Sequence, residues 1–279
     1  MLQMDRISIL SPVFIFGILI GSFLNVCIYR IPKGENITTT RSHCMVCGNV
    51  IKWYDLIPVI SYILLRGKCR FCKTKLSVQY PIIEILNGLL YLLIAAVAGI
   101  NIKSVLTMFL TSALIVIAVI DWRTYEIPFG LNVFIGLLGV AATVLDLAKT
   151  NGMWDYSRET NSARGAFFSW MPMTLSDHLI GAVAVSGFLL ILHLATKGRG
   201  IGGGDIKLMA AAGLFLGWKN CILAFVIGCI LGSIIHLIRM KVSKQDHVLA
   251  FGPYLAAGIF IASLWGERIV NAYLGTFTG

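Results

Sequence analysis

Residues 104–128 read SVLTMFLTSALIVIAVIDWRTYEIP. The first 17 carry no charge, and Asp121 then stands directly against them. An ionisable side chain at the edge of hydrocarbon is costly, so such residues are rare and usually functional. A second aspartate repeats the pattern. Asp205 follows three glycines in GGGDIKLM (202–209) and opens another apolar segment.

The rest of the chain fits the setting that these segments imply. Of 279 residues, 57% are hydrophobic and 13% charged, with a mean hydropathy of +0.84; soluble domains carry about 25% charged residues. Uncharged stretches cover 7–29, 85–102, 104–120, 127–145, 178–196, 208–218, 220–238 and 248–266. A spanning helix needs roughly 17–25 residues, and only 208–218 is short by itself. Helices satisfy their own backbone in lipid, and the alternating pattern of a membrane β-barrel is absent. The expected fold is an all-α polytopic membrane protein of about eight transmembrane helices. The first stretch exceeds a signal peptide's usual core of about 7–15 residues and no A-x-A-like site follows, so it reads as a retained span.

Charge orients the spans. With eight of them, loops 30–80, 121–126, 197–204 and 239–247 share one side and hold 15 of the 23 Lys and Arg. The positive-inside rule makes that side cytoplasmic. Both termini then lie outside, and Asp121 and Asp205 both fall at the cytoplasmic face. The net charge of +10 needs no nucleic acid; topology and attraction to anionic membrane lipid account for it. The division along the chain is a first span at 1–29, a cytoplasmic insertion at 30–80 and a membrane core at 81–279. No internal repeat is evident. The extracytoplasmic loop 149–176 holds Trp154, Tyr156, Phe167, Phe168 and Trp170, which suit an interfacial aromatic belt.

The insertion holds four of the seven cysteines, as Cys44-x2-Cys47 and Cys69-x2-Cys72 separated by 21 residues. Two such knuckles supply four thiolates for a structural zinc. A cytoplasmic location disfavours disulfides, and an insertion of some 50 residues needs a staple. With four cysteines the site is closed, so the metal is structural; the competing reading is four free thiols. Cys27, Cys221 and Cys229 lie in spans and read as small apolar residues.

For Asp205 the plain reading is a helix N-cap, and for Asp121 a charge marking the end of a span. Taken together they read as a catalytic pair. The segment 206–218 crosses only about 20 Å as a helix, and short glycine-interrupted segments point to intramembrane sites. One ionised carboxylate would activate water as general base. The other, protonated, would donate to the scissile carbonyl. Lys207, two positions on, faces elsewhere on the helix.

The motifs GSFLNVCIYRIP (21–32), SHCMVCG (42–48), WYDLIPVISYILLRGKCRFC (53–72), YPIIE (80–84), DWRTYEIP (121–128), GGGDIKLM (202–209) and FGPYLAAG (251–258) run in order along nearly the whole chain. The chain resembles the bacterial prepilin peptidases, GxGD-type intramembrane aspartic proteases. The resemblance implies that Asp121 and Asp205 cleave the basic leader of type IV prepilins or type II secretion pseudopilins. It also implies that S-adenosylmethionine methylates the new N-terminus. No soluble nucleotide-binding unit with a glycine-rich loop is present, so methyl transfer rests on the resemblance alone, with Asn25, Arg30 and Glu84 as candidate residues. For Arg30 the plain reading is a positive-inside anchor, and for Glu84 a solvated helix-start carboxylate. Pro253 in FGPY suits the start of the last span. Two other classes compete: a proton-coupled transporter with the aspartates as a relay, and a membrane-tethered zinc module.

Overall fold

The computed structural model describes residues 2–151, 173–198, 200–242 and 250–276. Eight α-helices account for most of them: α1 (Leu2–Arg30), α2 (Ile60–Leu64), α3 (Gln79–Ala98), α4 (Ile102–Thr124), α5 (Phe129–Thr150), α6 (Leu175–Ala195), α7 (Gly203–Val242) and α8 (Gly252–Gly275). No strand occurs among the described residues, only two isolated bridges, His43 to Val50 and Lys68 to Lys75. The chain forms two compact units, Met1–Ala96 and Val97–Gly279. The aromatic loop residues Trp154 to Trp170 lie outside the described residues.

In the first unit α1 and α3 run antiparallel in backbone contact. A Cβ on Gly17 would meet the Gly88 backbone at 2.8 Å, and one on Gly21 would meet the Glu84 Cα at 2.7 Å. Lipid tails are as apolar as leucine, so helices in a bilayer associate through close packing and polar bonds. The small residues at 17 and 21, one turn apart, supply the first. Asn87 supplies the second, its side-chain amide donating to the Gly17 carbonyl at 2.7 Å.

The second unit buries a continuous core that includes Leu110, Ile117, Ile135, Leu189, Met209, Phe215, Leu255 and Ile259. Helix α7 lies at its centre and is not straight. Gly217 has φ +72°, outside the helical region. Cys221 Sγ lies 3.8 Å from the Met209 carbonyl; twelve residues of straight helix would set them about 18 Å apart. The chain therefore folds back at Gly217 into two arms. Glycines again set the approaches: Gly181 against the Gly213 carbonyl, Gly139 against Phe215 and Gly258 against the Ala224 carbonyl.

Six helices are long and apolar enough to cross a membrane: α1, α3, α4, α5, α6 and α7. Their outward side chains, such as Leu137, Val183 and Ile191, are exposed apolar groups, as lipid-facing residues should be. With α7 doubled and α8 added, the chain supplies the eight helical arms expected from sequence. The short stretch 208–218 belongs to the first arm of α7.

A buried ion pair lies in this second unit. Lys103 donates to both Asp146 oxygens, at 2.9 and 2.7 Å, and both side chains are under a tenth exposed. His178 donates through Nδ1–H to the Leu214 carbonyl, 2.8 Å away. Its Nε2 lies 3.3 Å from Asp146 Oδ2 without the alignment of a hydrogen bond. The group links α4, α5, α6 and the end of the first α7 arm. Breaking a buried pair on one side leaves an uncompensated charge, at a cost of about 3–5 kcal/mol. Asp146→Ala should lower the thermal unfolding midpoint in detergent sharply. Lys103→Met combined with Asp146→Leu should recover most of the loss.

Candidate active site and metal centre

Asp121 lies one turn before the end of α4 and is buried, 5% exposed. The helix ends at Tyr125, whose left-handed backbone (φ +56°) lets its amide bond the Asp121 carbonyl at 2.8 Å. The Asp121 carboxylate accepts a hydrogen bond of 2.9 Å from the Gly252 amide. Gly252 is the first residue of α8, where amides have no intrahelical acceptor and the helix dipole favours negative charge. Pro253 follows at the helix start, as read from sequence. A Cβ on Gly252 would stand 2.8 Å from Asp121 Oδ2, so the bond requires glycine.

Asp205 is the third residue of α7, not its N-cap, because the helix starts at Gly203. Its carboxyl turns back toward Gly202. A Cβ on Gly202 would fall 3.2 Å from Asp205 Oδ2, and one on Gly204 would fall 2.9 Å from Ile127 Cβ. Gly204 therefore lets the start of α7 press on the turn between α4 and α5. That contact joins the GGGD segment to the segment carrying Asp121. Lys207 points away, its ammonium 5.1 Å from the centre of the Phe129 ring. Arg239 stacks on Trp122 at 4.9 Å, beside Asp121 in the chain. The structure thus places the two aspartates at the ends of separate helices, α4 and α7, with the start of α7 against Ile127, six residues after Asp121.

Sequence reasoning missed the Gly252 amide; the one available signal was a glycine immediately before a helix-starting proline. It also missed two buried polar groups near the same helix ends. The Asn132 amide and the Tyr254 hydroxyl have no hydrogen-bond partner among the described residues. Buried polar groups are rarely left so.

The four cysteines of the insertion converge. Their sulfurs all lie within 4.8 Å of one another, and Cys44 Sγ is 3.8 Å from Cys72 Sγ. A tetrahedron with metal–sulfur bonds of about 2.3 Å has edges of about 3.8 Å, so the donor set fits zinc. The thiolate form is favoured at Cys72 and Cys44 and disfavoured at Cys47. The Cys72 thiol is lowered to about 6 by the Thr74 hydroxyl and then the Thr74 amide. Backbone amides of Cys47 and Val46 lower Cys44.

A structural repeat is present here although no sequence repeat is evident. Cys44 N bonds Asn49 O and Ile51 N bonds Ser42 O; 25 residues on, Cys69 N bonds Thr74 O and Leu76 N bonds Gly67 O. Gly48 (φ +69°) is matched by Lys73 (φ +59°). Beyond the two cysteines of each knuckle, the turn geometry repeats while the residue types at its left-handed position do not. Asp55 and Arg70 tie the segment before α2 to the second knuckle through bonds of 2.7 and 2.6 Å, and Arg70 holds the Asp55 carboxyl below its usual range.

The three methyl-transfer candidates all lie in the first unit and are buried. The Asn25 amide donates to the Tyr80 carbonyl at 3.1 Å. Arg30 spends its guanidinium on the carbonyls of Asn36, Thr40 and Arg41, at 3.1, 2.9 and 3.4 Å. It organises the loop after α1, which neither the anchor reading nor the catalytic reading anticipates. Glu84 is no solvated helix-start group: its carboxylate accepts from the Val59 amide at 2.7 Å.

Fold and site together define a polytopic helical membrane protein with a four-cysteine insertion and two aspartates at the ends of different helices. The description "Bacterial Peptidase A24 N-terminal domain" matches residues 15–98, and "Type IV leader peptidase family" matches 108–237. A prepilin leader peptidase/N-methyltransferase of Bacillus subtilis (strain 168) is 32% identical, over 95% of this chain and 98% of its own. Proteins of the same name from Aeromonas hydrophila (31%; 96% of this chain, 94% of its own) and Neisseria gonorrhoeae (32%; 97% and 98%) are similar throughout. The chain belongs to the type IV leader peptidase family. No solved structure matches it.

Two measurements check the site. Gly252→Ala should place a methyl against Asp121 and cut activity severely while the protein still inserts and elutes normally; gel filtration beside an activity assay decides. Purified protein should hold about one zinc per chain, and replacing Cys44 and Cys72 by serine should abolish it. Metal analysis of fresh protein reads this directly.

Proposed function

We propose that this protein removes the basic leader of type IV prepilins or pseudopilins at the cytoplasmic membrane face and methylates the N-terminus it exposes. The observation that supports the proteolytic half is the Gly204–Ile127 contact, which sets the helix start carrying Asp205 against the segment that follows Asp121. Two carboxyls within electrostatic reach share a proton as a pair. The ionised member takes a proton from water as it attacks the scissile carbonyl; the protonated member donates to that carbonyl's oxygen. The Gly252 amide fixes Asp121 in place. The family supports peptidase chemistry and gives no support to a transporter. A zinc module alone would leave the aspartates unexplained.

Both aspartates end up on the basic side by the charge count, which supports a cytoplasmic site. The uncleaved pilin's apolar helix would approach from the bilayer. Asn132 and Tyr254 offer the polar groups to hold its backbone. When bound, zinc joins the two knuckles and leaves no open ligand position, so it has no part in hydrolysis.

The methyl-transfer half rests on the family's shared name and on the polar groups of the first unit. S-adenosylmethionine would supply the methyl as an electrophile. The chain's own part is to hold the new amine unprotonated and aimed. Glu84, a buried carboxylate on α3, suits that task, with Asn25 across from it on α1. Arg30 acts on the loop it organises.

Asp121→Asn and Asp205→Asn should each abolish leader removal from a co-expressed prepilin, because an amide is neither base nor acid here. Normal processing by either folded variant would remove the pair from the mechanism. Glu84→Gln keeps an oxygen for the Val59 amide but loses the charge. It should lower the ratio of methylated to unmethylated mature pilin, read by mass spectrometry, with cleavage preserved. Equal loss of both products would assign Glu84 to folding or docking.

A further inference from the structure

The segment from Trp53 to Leu64 bares more apolar surface than a metal knuckle needs. Trp53 is 79% exposed, Ile63 66% and Leu64 77%. In α2, Ile60, Ile63 and Leu64 fall at i, i+3 and i+4, which places them on one face. The opposite face is engaged: the Tyr62 hydroxyl donates to the Leu76 carbonyl at 3.3 Å and packs on Gly67. Single exposed apolar residues need no explanation, but a contiguous patch does.

A second observation gives the depth of this patch. The Val59 amide, just before α2, donates to Glu84 at 2.7 Å. Glu84 is five residues into α3, about 7.5 Å along the helix axis. That helix is apolar enough to be a span from Gln79 onward. The chain at Val59 is therefore level with the body of a span, not with the aqueous region beyond it. Val59 itself has φ +60°, a strained conformation for a β-branched residue. The Glu84 bond holds the dip in place.

Charge agrees with a lipid neighbour. Residues 30–80 hold nine Lys or Arg against Glu35 and Asp55. Lys52 and Arg66, both exposed, bracket the apolar segment. Helices with a bare apolar face and basic flanks lie in the plane of the interface, and anionic headgroups attract the flanks.

We infer that Trp53–Leu64 is an interfacial anchor, lying at the headgroup–acyl boundary of the anionic phospholipid bilayer that α1 and α3 span. Lys52 and Arg66 reach the phosphates while Trp53, Ile60, Ile63 and Leu64 enter the acyl region. The knuckles are thereby held down on the membrane surface from a point between two spans.

The test uses the full chain reconstituted in phosphatidylethanolamine–phosphatidylglycerol vesicles, with a co-reconstituted pilin. A photoreactive benzoylphenylalanine replaces Ile63, Leu64 or, as a control, Lys75. Zinc content reports that each variant keeps the insertion folded. Phospholipid adducts should dominate at 63 and 64 and be scarce at 75. Adducts chiefly to residues 97–279, to a second copy or to the pilin would overturn the inference. A second measurement needs no photoreactive group. With acyl-brominated lipids, Trp53→Phe should reduce the quenchable share of the tryptophan emission. An unchanged share would equally overturn the inference.

Discussion

One hydrogen bond of 2.9 Å, from the first amide of α8 to Asp121, constrains the membrane core. A buried carboxylate without a donor is unfavourable in lipid, and a helix start without an acceptor is too. Each solves the other's problem. The bond fixes α8 against the end of α4, and the Gly204–Ile127 contact fixes the start of α7 against the turn that follows. Three helix ends thus meet at one point. Asp205 is placed by its position two residues into α7, its carboxyl turned back toward Gly202.

The same economy governs the packing elsewhere. In a bilayer no hydrophobic force draws helix to helix, so close backbone approach and internal polar bonds must do it. Gly17 and Gly21 against α3, Gly181 against Gly213, and Gly258 against Ala224 are all sites where a methyl would overlap backbone. The polar bonds are placed where charge is cheapest to hold. Lys103 and Asp146 neutralise one another within the core. Asn87 bonds a carbonyl that the Gly17 contact has brought within reach.

Legibility in the sequence followed the physics of side chains. The spans were readable because hydrocarbon demands unbroken apolar composition. The two arms of α7 were readable as separate uncharged stretches, 208–218 and 220–238, but the fold-back at Gly217 was not. Paired cysteines announce a metal site through a spacing that few other structures need. What escaped notice was carried by main-chain atoms or by pairing at a distance. The Gly252 amide has no side chain to reveal it. Lys103 and Asp146 bounded uncharged stretches and looked like loop charges; 43 residues apart, nothing local marks them as partners. Arg30 looked like an anchor because its three carbonyl partners have no residue-type signature. The knuckle repeat was hidden because hydrogen-bond geometry, with Lys73 where Gly48 had stood, repeats without its sequence.

The division into two units bears on how two chemistries coexist in one chain. The aspartates and the amide that fixes Asp121 all belong to Val97–Gly279; the cysteines, Asn25 and Glu84 all belong to Met1–Ala96. Neither set borrows a residue from the other. An acid–base pair needs two carboxyls sharing one proton, whereas delivery of a methyl group needs an amine with its lone pair free. A single cluster would have to hold a proton for one step and withhold it for the next. The proposed roles, with the carboxyl pair on α4 and α7 and the lone carboxylate on α3, would avoid that conflict by assigning the two steps to different carboxyls.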